Sequence, residues 1–260
     1  MPNRAKAPLG APCWADLWTS DIAGSRKFYG ELFGWEADEP DPAFGGYFIF
    51  NVKGAPVAGC MGDMQEMKAN NTWKVYLDTD DIERTVQAAE AKGAKVIAPP
   101  MAVADLGIQS VFLDPTGADL GAWQAGTFPG FTVLNENDTP SWFELHTRDH
   151  ATAVDFYKSV FHWDTNTISD VDEFRYTVMR DPSGEGELAG IMDASAFLPE
   201  GAPSQWSVYW EVDDSDSTVA KVKSLGGSVV FEPEDTPYGR LSTVADPTGA
   251  SFKLRTPPSS

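Results

Sequence analysis

Cysteine is nearly absent from this chain: Cys13 and Cys60 are the only two in 260 residues. Two scattered cysteines exclude a disulfide framework or a zinc cluster. Histidine is almost as scarce, with three residues, and cations are few. Lys and Arg number 19 against 39 Asp and Glu, a formal charge of −20. A surface that acidic repels phosphate backbones and anionic lipid, which argues against nucleic acid and membrane surfaces as partners. No apolar run approaches the roughly 20 residues that span a bilayer. The opening Met-Pro-Asn-Arg-Ala-Lys-Ala-Pro lacks the apolar stretch of a signal peptide, so a cytoplasmic location is expected.

What the chain does have is apolar mass and aromatic rings. Apolar residues make up 42% and aromatics 12%, nine of them Trp, enough to bury a core and to form flat apolar surfaces. It also repeats itself. Residues 12–35 (PCWADLWTSDIAGSRKFYGELFGW) and 140–163 (PSWFELHTRDHATAVDFYKSVFHW) share Pro, Trp, Leu, Thr, Asp, Phe-Tyr, Phe and Trp at a constant offset of 128. Trp73-Lys-Val-Tyr returns as Trp206-Ser-Val-Tyr, and DPTGA at 114–118 returns at 246–250. Three matches in the same order mean a tandem duplication. The reading is two modules, 1–127 and 140–260, joined by a linker at 128–139 within a Gly-, Pro- and Asn-rich stretch.

Residues 13–18 alternate as a half-buried strand, and Asp21 is placed to cap a helix that Gly34 ends. Strands at 46–52 and 56–61 follow. The pattern restarts with a strand at 73–78, a cap at Asp81, a helix to about Lys92, and strands near 95–98, 108–113 and 119–124. Gly-rich pieces such as DPSGEGE (181–187) lack a strand–GxGxxG–helix setting and read as turns. The expected fold class is α+β, with tandem βαβββ units whose curved mixed sheets are covered by helices on one side.

The pattern W-x-[DE]-L-x-T-x-D…FY…W near each module start, with DPTGA before the last strand, resembles the vicinal oxygen chelate superfamily. That group includes glyoxalase I, extradiol dioxygenases and bleomycin-resistance proteins. Within it the chain resembles the two-domain glyoxalase-like proteins of actinobacteria, often labelled hydroxylases. The resemblance covers nearly the whole chain and is specific for fold rather than for activity. It implies His or Gln metal ligands seven residues before each helix-capping Asp, where this chain has Trp14, Lys74, Trp142 and Ser207. It implies a Glu ligand in the last strand of each module, where Gly121 and Lys253 stand. None of these suits a divalent cation, so no metal and no cofactor are expected.

The resemblance also makes the concave sheet face the ligand cavity, and strand alternation says which side chains lie there. In the first module these are Trp14, Asp16, Trp18, Lys74, Tyr76, Asp78 and Trp123. In the second they are Trp142, Glu144, His146, Ser207, Tyr209, Glu211, Lys253 and Arg255. Trp14 and Trp142 are either pocket wall or core that plugs a former metal site. Asp16 and Glu144 need a partner, either Lys74 or Lys253 on neighbouring strands or a ligand. Glu144 and His146, two apart on one face, are the candidate catalytic pair. His150 and His162 fall at helix ends, and Cys13 on the apolar face reads as core. The second face is the more cationic, so a more polar or acidic ligand is expected there, with affinity changing between about pH 5 and 8.

These readings point to a metal-free binding protein for a small aromatic or polycyclic molecule, acting as monomer or homodimer. Sequestration, self-resistance or an accessory role in secondary metabolism would fit. The alternative is a metal-independent tailoring enzyme (an accessory hydroxylase, isomerase or cyclase) using acid–base groups in the cavity. A structural protein with filled cavities is the third reading.

Overall fold

The computed structural model describes residues 4–63, 68–184 and 186–258, so Glu185 of the DPSGEGE segment lies outside the described residues. The first module runs β1 (Pro12–Trp18), α1 (Ile22–Phe33), β2 (Glu36–Ala37), β3 (Phe48–Val52) and β4 (Ala55–Met61). Its second half runs β5 (Thr72–Asp78), α2 (Ile82–Ala91), β6 (Lys95–Val103), β7 (Gly107–Leu113) and β8 (Asp119–Ala125). The second module repeats this as β9 (Pro140–Thr147), α3 (His150–Val160), β10 (Thr165–Val171), β11 (Phe174–Arg180) and β12 (Glu187–Asp193). It ends with β13 (Gln205–Glu211), α4 (Ser215–Ser224), β14 (Ser228–Thr236), β15 (Gly239–Ala245) and β16 (Ser251–Thr256).

Each helix starts where an aspartate satisfies amides that the helix itself cannot. Asp21, Asp81, Asp149 and Asp214 accept from the amides of Gly24, Arg84, Thr152 and Ser217. Gly34, in the left-handed conformation at φ 69°, ends α1. Two elements differ from the sequence reading. β6 continues past Ala98 through Pro99 and Pro100 to Val103, with a register shift at that point. It is an edge strand, where missing amide donors cost no ladder bond. β2 is two residues long, too short to leave a periodic signal.

Each module forms one eight-stranded mixed sheet, in the orders β2-β3-β4-β1-β5-β8-β7-β6 and β10-β11-β12-β9-β13-β16-β15-β14. The two βαβββ units of a module meet at an antiparallel central pair, β1–β5 or β9–β13. The parallel pairs β1–β4 and β9–β12 flank it on one side, and β5–β8 and β13–β16 on the other.

The helical faces of the two sheets pack on each other. Trp210 of β13 is fully buried against Trp35, Trp73 and Phe33 of the first module, with ring centroids 4.8, 5.2 and 6.3 Å away. The repeated motifs cross the same boundary. Tyr29 of α1 donates to Asp246 of the second DPTGA at 3.1 Å, and Tyr157 of α3 donates to Asp114 of the first at 2.8 Å. Trp163 Nε1 donates to the Gly10 carbonyl, and Trp35 Nε1 to that of Asp138. The helices therefore lie between the sheets, and the opposite faces turn outward. Cys13 and Cys60 are buried thiols. No helix among the described residues is long and apolar enough to cross a membrane.

Candidate functional site

The same cluster is built twice on the faces turned away from the helices. In the first module, Trp14 Nε1 donates to Tyr47 Oη at 2.9 Å and Tyr47 donates to Asp16 at 2.8 Å. In the second, Trp142 Nε1 donates to Tyr176 Oη at 3.0 Å and Tyr176 donates to Glu144 at 2.8 Å. Tyr209, on the central strand beside the second carboxylate, also donates to Glu144 at 2.7 Å, and Tyr76 occupies the matching position beside Asp16. Glycines make room for this. A Cβ on Gly59 or Gly190 would stand 1.9 or 2.0 Å from the hydroxyl of Tyr47 or Tyr176. Tyr47 and Tyr176 escaped the sequence reading because they sit outside the fixed-offset repeats. A tyrosine just before or within the strand that precedes a glycine-bearing strand is the available signal.

The modules then diverge. In the first, Lys74 pairs with Asp119 at 3.0 Å and stands 5.7 Å from the Trp18 ring, so Asp16 keeps only uncharged donors. Burial raises the Asp16 carboxyl above its ordinary value, against the pull of its hydroxyl and indole donors. Trp14, Tyr76 and Trp123 are buried. Linker residues Phe128 and Phe131 lie 4.9 and 5.0 Å from Trp14, and the Trp123 indole donates to the Phe128 carbonyl.

In the second module Lys253 takes the place of Gly121, and His146 that of Trp18. Glu144 Oε2 receives His146 Nε2 at 2.6 Å, Tyr209 Oη at 2.7 Å and Lys253 Nζ at 3.2 Å. Burial alone would raise this carboxyl, but the Lys253 charge and the His146 and Tyr209 donors hold it well below the usual carboxylate range. His146 is pushed below its ordinary value by burial and then by Lys253, so its ring is neutral near pH 7. Arg255 pairs with Glu211 at 3.2 Å. The cationic character expected of this face is therefore largely neutralised in place, and the expected pH window moves below the ordinary histidine range.

A cavity of about 1220 Å³ opens on this face, lined by Trp142, Glu144, His146, Tyr209, Lys253 and Arg255 together with Tyr176. Phe197 closes edge-on over the His146 ring at 5.5 Å. Phe174, Phe231 and Tyr238 add further ring surface. Glu211 reaches the cavity only through Arg255. Trp14, Asp16, Trp18, Lys74, Tyr76 and Trp123 belong to the first module's cluster and do not join it. His150, at the start of α3, faces a separate shallow cleft, and His162 is exposed.

The residues at the family's ligand positions do not fit a divalent cation. An indole N–H and an ammonium only donate, and glycine offers no side chain. Lys253 Nζ would stand against the metal. Among the described residues, no group of three His, Cys, Asp or Glu is arranged to hold one. EDTA should therefore leave the melting temperature and ligand affinity of the purified protein unchanged. Tightly held stoichiometric zinc, nickel, manganese or iron by elemental analysis would overturn this.

Comparison with known proteins agrees with the two-module fold. The model for the Glyoxalase/Bleomycin resistance protein/Dioxygenase superfamily matches residues 13–121 and 139–254. "Putative glyoxylase CFP32" of Mycobacterium tuberculosis is 36% identical over 264 residues, covering 99% of this chain and 98% of that protein. "Anthracycline biosynthesis protein DnrV" of Streptomyces peucetius is also 36% identical over 264 residues, covering 94% and 92%. Among solved structures, the Mn(II)-bound glyoxalase from Novosphingobium aromaticivorans superposes with a TM-score of 0.66 at 17% identity, covering 95% of this chain and 82% of that one. The 2,3-dioxygenase LapB from Pseudomonas sp. KL28 gives 0.64 at 13% identity, covering 96% and 93%. The chain belongs to the glyoxalase/bleomycin resistance protein/dioxygenase superfamily, as two tandem modules of that fold.

Proposed function

We propose that the protein is a metal-free small-molecule binding protein whose second module takes a planar aromatic ligand on its concave face, in an accessory role in secondary metabolism. The observation that carries this reading is the cavity itself, a large aromatic-walled space above a polar floor whose carboxylate is already saturated. Rings of Trp142, Phe174, Phe197 and Phe231 offer stacking surface beyond simple area burial. Few groups on the floor remain free to change a bound molecule chemically. The similarity to anthracycline biosynthesis proteins supports the setting.

A second reading is favoured by one contact, the 2.6 Å approach of His146 Nε2 to Glu144. A neutral imidazole held by a carboxylate is equipped for general base catalysis, as a metal-independent isomerase, cyclase or accessory hydroxylase would need. One titration separates the two. With 2-(hydroxymethyl)anthraquinone followed by fluorescence quenching and by chromatography, binding without conversion is expected. Trp142→Ala should weaken affinity by about tenfold or more, while Trp123→Ala, in the other module, leaves it unchanged. Because burial and Lys253 lower His146, affinity should stay flat above the ordinary histidine range and change only below it. Conversion that His146→Ala abolishes while binding survives would install the enzyme reading instead.

A further inference from the structure

The proton inventory around Lys253 leaves one donor unspent. An ammonium carries three N–H groups. One points at Glu144 Oε2 at 3.2 Å and one at Tyr209 Oη at 2.9 Å. Tyr209 gives its own proton to Glu144, so its oxygen is free to accept from Lys253. The third neighbour is His146 Nε2 at 3.1 Å. That nitrogen lies 2.6 Å from the Glu144 carboxylate. A lone pair facing an anionic oxygen at that distance would be repelled, so Nε2 carries the hydrogen and donates to Glu144. It therefore cannot accept from Lys253. The third ammonium N–H has no acceptor among these neighbours, and the Lys253 side chain, 16% exposed, lines the cavity.

We infer that Lys253 is the specificity-determining residue of the cavity, reading an acceptor oxygen (a ring carbonyl or a phenolate) on the planar ligand. This rests on the ligand-binding reading above and adds the chemical handle by which the ligand is held. The Tyr209 ring, 4.8 Å beneath the ammonium, and the Glu144 carboxylate fix its direction, so the remaining N–H is presented without reordering. A ligand of the same shape without the oxygen would leave this charged donor dry and unpaired, and such mismatches are rejected more strongly than changes in apolar bulk. In the first module Gly121 stands at the corresponding place, so that face has no equivalent reader.

The test compares two neutral molecules of the same outline, 2-(hydroxymethyl)anthraquinone and 2-(hydroxymethyl)anthracene, on the full-length protein and on Lys253→Met. The wild type should bind the quinone about 10- to 100-fold more tightly. Lys253→Met should bring the two affinities within about threefold of each other, chiefly by weakening the quinone. Equal affinities in the wild type would overturn the assignment of Lys253 while leaving aromatic binding intact. A preference that survives in Lys253→Met would place the oxygen reader elsewhere. Failure of both molecules to bind would overturn the binding reading and this one together. The wild-type comparison needs no variant, so the proposal stays falsifiable even if Lys253→Met folds poorly.

Discussion

Trp210→Ala is expected to destabilise the protein by about 3–5 kcal/mol, the range for truncating a fully buried large aromatic side chain. Trp210 belongs to the second module, yet Trp35, Trp73 and Phe33 of the first form its surroundings. The cavity left behind would therefore open in both modules at once. Denaturant unfolding should show one transition, shifted to a lower midpoint, rather than early loss of half the signal. Trp210→Phe supplies the comparison. The Trp210 Nε1 atom is buried without a partner, so phenylalanine removes an unsatisfied donor together with ring volume. It should cost far less than alanine. Two separate transitions in the wild type would show that the modules are independent and would sink this account of the shared core.

Glu144→Gln should be the most damaging substitution on the concave face. The carboxylate holds the Lys253 charge and the His146, Tyr176 and Tyr209 donors. The amide has one accepting oxygen, and its NH2 would face donors. Breaking a buried ion pair from one side costs about 3–5 kcal/mol. Because Lys253 keeps some exposure, the lower end, about 3 kcal/mol, is expected, a fall of about 6–12 °C in melting temperature. The double variant Glu144→Gln/Lys253→Met should recover part of this, since no charge is then stranded. The acid side offers a further check on sign. A carboxyl held below its ordinary value stabilises fully above the ordinary carboxylate range, and that contribution fades as pH falls through the lowered value. Glu144→Gln should flatten that part of the stability curve. A loss under about 1 kcal/mol would mean the floor does not depend on this carboxylate.

Much of this fold could be read from the chain before any coordinates. The repeat fixed the module count, the four capping aspartates fixed the helix starts, and alternation in β1, β5, β9 and β13 sorted the faces correctly. Alternation placed Glu144, His146, Tyr209, Lys253 and Arg255 on one face, and the cavity gathers all five. What stayed hidden depends on geometry that periodicity does not encode. The helical spacing of Phe28, Tyr29, Leu32 and Phe33 says that one side of α1 is buried, but not that Phe252 and Asp246 of the other module help to cover it. Tyr176 reaches Glu144 only because the strand between them carries Gly190, a close approach that hydrophobic periodicity does not encode. The protonation of His146 could not be judged from its type, because burial and Lys253, more than a hundred positions away, set it.

The reciprocal Tyr29–Asp246 and Tyr157–Asp114 bonds divide the labour between the two copies. The shared pairs Phe28/Phe156, Tyr29/Tyr157, Phe33/Phe161 and Trp35/Trp163 face the seam and hold the partner half, so a change there must satisfy both. Several residues that differ (Gly121 against Lys253, Trp18 against His146, Lys74 against Ser207) face outward, where one copy can vary without consulting the other. Duplication thus supplies a seam that both copies must respect and outer surfaces that differ around a cluster of Trp, Tyr and carboxylate common to both. On one of those surfaces Lys253 stands where the other has Gly121, and the large cavity opens on the side that carries the lysine.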